Sequence, residues 1–411
     1  MRKKTLFYFA TCFICTATLF YSCKQQQVAP DAGAHTFSTV FRSLSVVGDT
    51  IPGYHLIWSD EFNSTGSFDT TRWQYCKRAT SDWNRYLTSS PAYANLSGGN
   101  LNLKMNDSTI AGDTATYHSG GIQTATKFFF TYGKVEVRAK FNQGQGSWPG
   151  IWMLSETSSY GGWPNSGEVD IMEHINSGSI VYQTIHTGSG SPGNTAPYTA
   201  SNYNLYDIIW SPSSIQFYVN NVLYGTYTKP NNATSSQWPF NEPFYIILDQ
   251  AGGGSWTGAI NNAALPFSMQ VDYVRVYKAN LLSNPGFESG AASPWAFGST
   301  TSIITSNVNT GKYAVLEQGT TATSAEQTVT NLLPNTTYTF GGYGKVGAAG
   351  QSVSIGVKNY GGSQVSDVVT STTYQNGSVT FTTGATNTQA TVFFYKPNSG
   401  TAYGDDFYLT Q

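Results

Sequence analysis

Three carboxylates lie within six residues of an otherwise apolar segment, GEVDIME at positions 167–173. They belong to Glu168, Asp170 and Glu173. Two carboxyl groups flanking a glycosidic bond are the minimum apparatus for its hydrolysis, because one protonates the leaving oxygen while the other attacks or activates water. The distance between the two carboxyls decides the stereochemical outcome, and their close spacing here favours retention of configuration. The segment therefore indicates chemistry on a glycosidic bond.

The period of a β-strand separates these carboxylates unless the strand is irregular. Glu168 and Asp170 are two residues apart and share a face, whereas Glu173 points the other way on a regular strand. A one-residue bulge near residues 171–172 would restore all three to one face, and bulges re-aim side chains beside active sites. A solvated charged face is the alternative. It is disfavoured because apolar residues lie between the carboxylates and because unpaired carboxylates on one strand repel each other.

The distance between the outer carboxylates sets a second requirement. Four effective strand steps separate the Cα atoms of Glu168 and Glu173 by about 13 Å, whereas retaining enzymes hold the two carboxyls about 5 to 5.5 Å apart. We expect concave sheet curvature and leaning side chains to close the gap. We also expect Asp170 to hydrogen-bond the nucleophile and to raise the proton affinity of a neighbouring carboxyl group, which helps Glu173 stay protonated before cleavage.

Tryptophan and histidine residues near the carboxylates are candidates for a sugar groove. Trp148 and Trp163 each precede a proline in a glycine-rich turn, which favours sugar stacking over burial in a core. For Trp152, core packing and sugar stacking are both open. His186 is expected on a neighbouring strand, where a place in the cleft and a structural role are equally open. The histidines and cysteines are too few and too scattered for a zinc site.

Composition and charge bound the class of partner. Only 11% of the 411 residues are charged, and the formal net charge is -2. The sequence therefore lacks the electrostatic footprint of a protein that binds nucleic acid or an anionic membrane. Aromatic residues make up 15% of the chain, and flat sugar faces stack on such rings. A neutral polysaccharide is the expected partner, and a monomer is the expected state.

The N-terminus has the features of an export signal. Three basic residues at positions 2–4 precede an apolar run at 6–20 that is too short to span a bilayer comfortably. Ser22-Cys23 resembles a bacterial lipoprotein box, so we expect residues 1–22 to be removed, Cys23 to be acylated and residues 23–52 to form a flexible tether. Only Cys23 and Cys76 then remain, too few for a disulfide framework. This predicts an outer-membrane or cell-surface lipoprotein, attached to the membrane only through Cys23; the alternative is a secreted protein.

Short strand-like runs separated by Gly, Asn, Ser and Pro predict an all-β protein. Segment 135–141 alternates four apolar with three charged residues, as a half-buried antiparallel strand does. Residues 215–219, the pair Asn220-Asn221 and a returning run from 222 predict a hairpin. After a last strand at 271–277 the texture changes to Thr, Ser and Gly with little charge. We expect one sandwich over residues 53–279 and a second, smaller β-sandwich over 280–411.

Taken together, these motifs resemble the laminarinase-like members of glycoside hydrolase family 16, whose signature is Glu-x-Asp-x-x-Glu with the bulge. The resemblance covers residues 54–278. It implies a curved β-jelly-roll with an open cleft and endo-hydrolysis with retention. It gives Glu168 the role of nucleophile, Asp170 that of assisting carboxylate and Glu173 that of acid/base, with no cofactor for catalysis. Besides the signature and the Trp-Pro segment, the matching motifs are WSDEF at 58–62, YGKVEVRAK at 132–140, GGGSW at 252–256 and VDYVRVY at 271–277.

The resemblance also implies substrate contacts, and here the chain departs from the family. Many laminarinases carry Asn-Asn-Glu-Leu-Gln before the strand preceding the cleft, whereas this chain has DWNRYL at 82–87, in which only Asn84 is similar. Asn84 and Trp256 join the predicted substrate contacts. The substrate is open between β-1,3-glucan and mixed-linkage β-1,3-1,4-glucan. Agarases and porphyranases share the bulged signature, but a sulfated galactan ranks lower because no basic cluster lies near the tryptophans.

Structural calcium is implied at two places by resemblance alone. In the first sandwich, Glu61, the Gly99 carbonyl and Asp272 would surround an ion away from the cleft. Residues 280–411 begin with NPGFE at 284–288 and end with DDF at 405–407, similar to the ends of jelly-roll carbohydrate-binding modules. That similarity implies a second calcium site at Glu288 and Asp406. Candidate sugar contacts in this part are Trp295, Tyr343, Tyr360 and Tyr403.

A surface lipoprotein that binds a glycan in the same cleft without cutting it is the main alternative from another class of protein. The intact pair Glu168 and Glu173 favours an enzyme, because a binding protein needs neither a nucleophile nor a proton donor. Release of reducing ends from polymer separates the two.

Overall fold

The computed structural model describes residues 51–411. The predicted signal peptide at 1–22, the predicted acylation site Cys23 and the tether up to residue 50 lie outside the described residues. No helix within residues 51–411 is both long enough and apolar enough to cross a membrane.

Two antiparallel sheets form the first sandwich. The nine-stranded sheet has the order β14-β13-β12-β7-β16-β4-β3, with β1 beside β16 and β5 beside β4, and the seven-stranded sheet has the order β11-β10-β9-β8-β15-β6-β2. One 3-10 helix spans Asn262–Ala264. The strands are β1 (Tyr54–Asp60), β2 (Gln74–Tyr75), β3 (Ala94–Ser97), β4 (Asn100–Asn106), β5 (His118–Ser119), β6 (Gly121–Gln123), β7 (Gly133–Phe141), β8 (Ser147–Ser155), β9 (Glu168–Glu173), β10 (Ile180–His186), β11 (Gly193–Pro197), β12 (Asn204–Trp210), β13 (Ser214–Val219), β14 (Val222–Thr228), β15 (Phe244–Gly252) and β16 (Phe267–Ala279).

Strand β7 shows how the alternating pattern builds the core. Its four apolar residues between 135 and 141 are buried in the cluster between the sheets, and burying each large apolar side chain contributes about 1.5 to 3 kcal/mol. The opposite face is less exposed than the pattern predicts. Glu136 is only 7% exposed. Lys134 Nζ lies 2.6 Å from its Oε2 and 3.5 Å from Oδ2 of Asp207. A buried charge is tolerated there because it is paired.

The predicted hairpin is confirmed. Strands β13 and β14 pair from Ser214↔Thr228 to Val219↔Val222. Asn220 and Asn221 connect them with φ values of 50° and 65°, the left-handed conformation that a two-residue turn of this kind requires.

The second sandwich has two five-stranded sheets and its own core. One sheet has the order β17-β20-β25-β22-β23 and the other β18-β19-β26-β21-β24. The side chain of Asn280, directly after β16, donates to the Phe407 carbonyl and accepts from the Leu409 amide. The all-β prediction is confirmed. The strands are β17 (Ala296–Phe297), β18 (Thr301–Ile304), β19 (Ala314–Gly319), β20 (Thr323–Thr330), β21 (Thr337–Val346), β22 (Val353–Lys358), β23 (Val365–Val369), β24 (Gln375–Thr382), β25 (Gln389–Lys396) and β26 (Gly400–Thr410).

Candidate active site

Strand β9 carries the three carboxylates between β8 and β10. Its register shifts against both neighbours, so that Ile171 has no counterpart on β8 and the predicted bulge is confirmed. The apolar residues of β9 lie in the core between the sheets, and the carboxylates project from the other face, the outer face of the seven-stranded sheet. On β8 the partners are Leu154↔Glu168, Trp152↔Asp170, Ile151↔Met172 and Gly150↔Glu173.

Glu168 lies between an indole and an imidazole. The Nε1 of Trp163 donates to Glu168 Oε2 at 2.7 Å, although Trp163 is 65% exposed. His186 projects from β10 with its Nε2 at 3.6 Å from Glu168 Oε1 and 3.0 Å from Asp170 Oδ2. The structure therefore brings His186 and Trp163 into the site, on the side of Glu168.

Glu173 lies at the opposite end of the row. The Nε1 of Trp148 donates to Glu173 Oε1 at 2.9 Å. Trp256 packs edge-on against Trp148 at 5.5 Å and against Tyr182 at 5.1 Å between ring centroids. Trp256 is 39% exposed, so an aromatic wall open to solvent stands beside Glu173.

Burial and mutual repulsion hold protons on this row of carboxyl groups. Burial raises the pKa of Glu173 to about 7, against the hydrogen bond from Trp148. Burial and the neighbouring Asp170 raise the pKa of Glu168, while His186 and the Trp163 hydrogen bond lower it. Burial also raises the pKa of Asp170. His186 and the Trp163 hydrogen bond therefore favour the charged form of Glu168 against the effect of burial, and a Glu173 pKa raised to about 7 suits a general acid.

Trp152 lies on the outer face but is only 7% exposed. It belongs to a small cluster with Cys76, Leu87 and Ile247, which lies apart from the main core. Its Nε1 donates to Asp249 Oδ1 at 2.7 Å. Of the two roles left open by the sequence, the structure shows the packing one, and it places the residue directly opposite Asp170.

Asn84 approaches the same cluster from the segment that differs from laminarinases. It is 8% exposed, and its Oδ1 has no hydrogen-bond partner in the described part of the chain. The preceding Trp83 packs edge-on against Trp152 at 4.8 Å. Segment 82–87 therefore borders the outer face near Trp152.

Asp249 is a site residue that sequence reasoning missed. It is 2% exposed on β15, and burial, with a contribution from Glu173, raises its pKa to about 8. The sequence signal that could have found it is a single carboxyl group within the apolar strand FYIILDQAG at 244–252. An isolated buried acid needs a specific partner, so such a residue is a candidate for a site.

One group of acidic and histidine side chains within residues 51–411 has ligand atoms close enough for a metal ion. It consists of Glu168, Asp170 and His186, whose ligand atoms lie within 4.8 Å of one another. These atoms also contact one another within the proposed catalytic row, and no metal is needed to explain their arrangement.

The first predicted calcium set is occupied by arginines. Arg275 forms a two-point ion pair with Glu61 at 2.9 and 2.7 Å, and Arg138 pairs with Asp272. In this arrangement both carboxylates are already paired with arginine cations, and calcium here remains a prediction.

In the second sandwich, Glu288 and Asp406 approach the same glycine. A Cβ added at Gly286 would lie 3.4 Å from Asp406 Oδ1, 3.6 Å from Asp405 Oδ1 and 3.7 Å from Glu288 Cγ. Glu288 Oε1 accepts hydrogen bonds from the backbone N–H groups of Lys312 and Tyr313. Asp405, which the sequence argument did not include, adds a third acid to the pair, and calcium here remains a prediction.

The candidate sugar contacts of the second sandwich divide into two pairs. Trp295 and Tyr360 are 3% and 6% exposed and belong to the core, so they are not available to a ligand. Tyr343 and Tyr403 are half-buried, and Lys345 Nζ lies 5.0 Å from the Tyr403 ring.

A β-sandwich with a row of buried carboxylates and exposed indoles on one sheet face defines a carbohydrate-processing protein. The model of glycosyl hydrolases family 16 matches residues 81–275, and that of a carbohydrate binding domain matches residues 279–400. The chain therefore belongs to glycoside hydrolase family 16, with a carbohydrate-binding domain after its glycosidase domain.

The chain is similar to enzymes named for two different kinds of glycan. The chain is 53% identical to the keratan-sulfate endo-1,4-β-galactosidase of Sphingobacterium multivorum, over 99% of each chain. It is 34% identical to the β-glucanase of Rhodothermus marinus, over 56% of this chain and 87% of the relative. The X-ray structure of the laminarinase from Rhodothermus marinus superimposes with a TM-score of 0.52 at 31% identity, over 55% of this chain and 97% of that one.

Proposed function

We propose that the protein is a retaining endo-β-glycosidase in which Glu168 is the nucleophile and Glu173 the acid/base. The observation that carries this proposal is the placement of both glutamates on one face by the bulge in β9. Each accepts a hydrogen bond from a different indole, Trp163 at one end and Trp148 at the other.

In the first step, a Glu168 carboxylate oxygen attacks the anomeric carbon while the Glu173 proton passes to the glycosidic oxygen. The carbon–oxygen bond breaks, the reducing-end fragment leaves as an alcohol, and a glycosyl ester forms on Glu168. His186 lies 3.0 Å from Asp170 and 3.6 Å from Glu168; the imidazole lowers the pKa of Glu168 and Asp170 raises it. In the second step, Glu173, now a carboxylate, takes a proton from water, whose oxygen attacks the anomeric carbon from the face that the leaving group occupied. The ester bond to Glu168 breaks on the opposite face, so the product keeps the configuration of the substrate.

For the substrate, we infer a β-1,4-galactosidic bond in a glycan of the keratan sulfate type. The support is the 53% identity, which extends over both domains of the galactosidase named above, whereas the β-glucanase relationship is restricted to 56% of the chain. The departure at 82–87 is consistent with a changed sugar site. Asp82 in this segment accepts two hydrogen bonds from Ser255, which joins the segment to the loop of Trp256.

A β-glucan, either β-1,3 or mixed-linkage, is the second candidate. It is favoured by the β-glucanase relative and by the laminarinase structure. Reducing-end assays on keratan sulfate, laminarin, barley β-glucan and agarose decide between them. Release from keratan sulfate alone supports the galactosidase, release from laminarin or barley glucan supports the glucanase, and release from agarose supports an agarase. Retention of polymer without release on any of them supports a binding lipoprotein.

The second sandwich is proposed to hold the enzyme near its polymer, in line with the carbohydrate-binding match. We also propose that the protein is exported as a lipoprotein acylated at Cys23 and that it is a monomer. The experiments that test anchoring and the second sandwich are given in the Discussion.

A further inference from the structure

Asp249 is a buried carboxyl group that the proposed mechanism does not use. It is directly opposite Gly121 on β6 and Gly150 on β8, and Gly150 is in turn directly opposite Glu173 on β9. Directly opposite residues of antiparallel strands project from the same face. Asp249 therefore projects from the catalytic face, two strands away from Glu173.

The glycine between these two acids makes room for the side chains of its neighbours. Neighbouring strands lie about 4.8 Å apart, so the backbones of Glu173 and Asp249 are roughly 10 Å apart on either side of β8. A Cβ added at Gly150 would lie 3.1 Å from Asp249 Oδ1 and 3.2 Å from Cδ1 of Trp152. The indole and Asp249 therefore already occupy the space above Gly150, and a side chain at 150 would push them aside.

Asp249 contacts the indole directly. The Trp152 Nε1 donates to Asp249 Oδ1 at 2.7 Å, and Trp83 packs edge-on against the other side of the ring system. The indole N–H has no second acceptor among the hydrogen bonds of the described residues. Packing confines the ring, and Asp249 sets the direction of its N–H.

We propose that Asp249 is a positioning residue of the active site, which acts through Trp152: its hydrogen bond holds the indole over Gly150, directly opposite Asp170 and beside Glu173. This rests on the proposed glycosidase function but not on which sugar is cleaved. Glycine at 150 leaves room for the indole, the hydrogen bond from Trp152 to Asp249 fixes it, and together they shape the active site.

The carboxyl group performs this role in its uncharged form. The titratable groups facing it are Glu173 and Asp170 on β9 and the Cys76 thiol. All of them are acids, and burial together with Glu173 raises the pKa of Asp249 to about 8. Burial thus favours the uncharged form of Asp249. An amide at this position can therefore replace the acid.

The test is a double-mutant cycle between Asp249 and Trp152, with rates measured on keratan sulfate and laminarin. Asp249→Asn keeps the acceptor oxygen, and kcat/KM is expected within threefold of wild type with an unmoved alkaline limb of the pH profile. For Asp249→Ala, kcat/KM is expected to fall tenfold to a hundredfold. Trp152→Phe removes the indole N–H, and in that background Asp249→Ala should cost less than threefold, because coupled residues are non-additive.

A matched control separates positioning from folding. Asp207 is equally buried, at 2% exposed, but lies on the other sheet beside Lys134, and Asp207→Asn should lower the melting temperature without a selective change in kcat. If Asp249→Ala does not fold, the cycle is run with Asp249→Ser.

Two results would overturn the inference. One is an equal cost of Asp249→Ala in the wild-type and Trp152→Phe backgrounds, and the other is an Asp249→Asn variant as impaired as the alanine variant. A readout independent of substrate is the ¹⁵N-indole resonance lost in Trp152→Phe. The chemical shift of this resonance should change in Asp249→Ala and stay the same in Asp249→Asn. An unchanged shift in the alanine variant also overturns the inference. A wild type that cleaves neither polymer counts against the proposed substrates and leaves this resonance test to decide.

Discussion

The indole N–H of Trp163 donates to Glu168 Oε2 at 2.7 Å even though the Trp163 side chain is 65% exposed. A single side chain thus offers a flat apolar surface to the cleft and a hydrogen bond to the proposed nucleophile. We expect Trp163→Phe to keep the surface and lose the bond. Hydrogen bonds to charged groups contribute about 1.5 to 3 kcal/mol, and each 1.36 kcal/mol is tenfold in rate, so kcat should fall roughly tenfold to a hundredfold.

The control for that substitution is Trp58→Phe. Trp58 packs on Phe128 and Trp73, on β1 of the other sheet, and has no contact with the carboxylates. Its substitution should leave kcat within twofold. Equal losses in both variants would mean that Trp163 acts through stability rather than through Glu168.

The roles of the two glutamates predict opposite responses to azide. Glu168→Ala should abolish turnover on every glycoside, because no covalent intermediate can form. Glu173→Ala should be slowest on natural polymers, whose poor leaving groups need protonation, while activated aryl glycosides still form the intermediate. Added azide should then accelerate Glu173→Ala and give a β-glycosyl azide, identified by NMR. An α-azide from Glu173→Ala, or a β-azide from Glu168→Ala, would reverse the assignment.

The alkaline limb of kcat/KM should report Glu173. Its acid form is needed to protonate the leaving group, and its pKa is raised to about 7, so kcat/KM should fall tenfold per pH unit above that pH. The Trp148 hydrogen bond lowers this pKa. Trp148→Phe should therefore move the limb to higher pH, and a shift to lower pH would contradict the assignment of Glu173 as the acid.

Deletion of residues 281–411 should separate binding from chemistry. We expect a small change in kcat/KM on soluble oligosaccharides and a severalfold loss on insoluble polymer, because a binding module raises local concentration without taking part in bond cleavage. Melting temperature is the control, since His55 of β1 stacks on Tyr408 of the second sandwich at 3.6 Å between ring centroids. Equal losses on both substrates would make the second sandwich part of the catalytic fold.

Cys23→Ala should release the protein from the membrane. The prediction follows from the apolar run and the small residue before Cys23, because a lipid chain on that cysteine is the only anchor proposed. Detergent phase separation of cell extracts measures the change, with Cys76→Ala as the matched cysteine control. Unaltered partitioning of the Cys23 variant would contradict the lipoprotein prediction.

The sequence by itself determined the features that depend on neighbours along the chain. Strand period places Glu168 and Asp170 together, and the mismatch at Glu173 is enough to require the bulge that the structure shows. The turn at Asn220 and Asn221 follows in the same way from residues that tolerate positive φ. These are local conformational rules, and they act within a few residues.

Only the tertiary structure decided which side chains meet across strands. Asp249 is 97 residues from Trp152 in the chain and hydrogen-bonds it through the register of β8 and β15. Trp295 is of the residue type that forms sugar platforms but is buried in the second core. Glu61 forms an ion pair with Arg275. Pairing register and core packing depend on the whole sheet, because each strand can satisfy its own pattern in more than one position and the packed fold selects one of them.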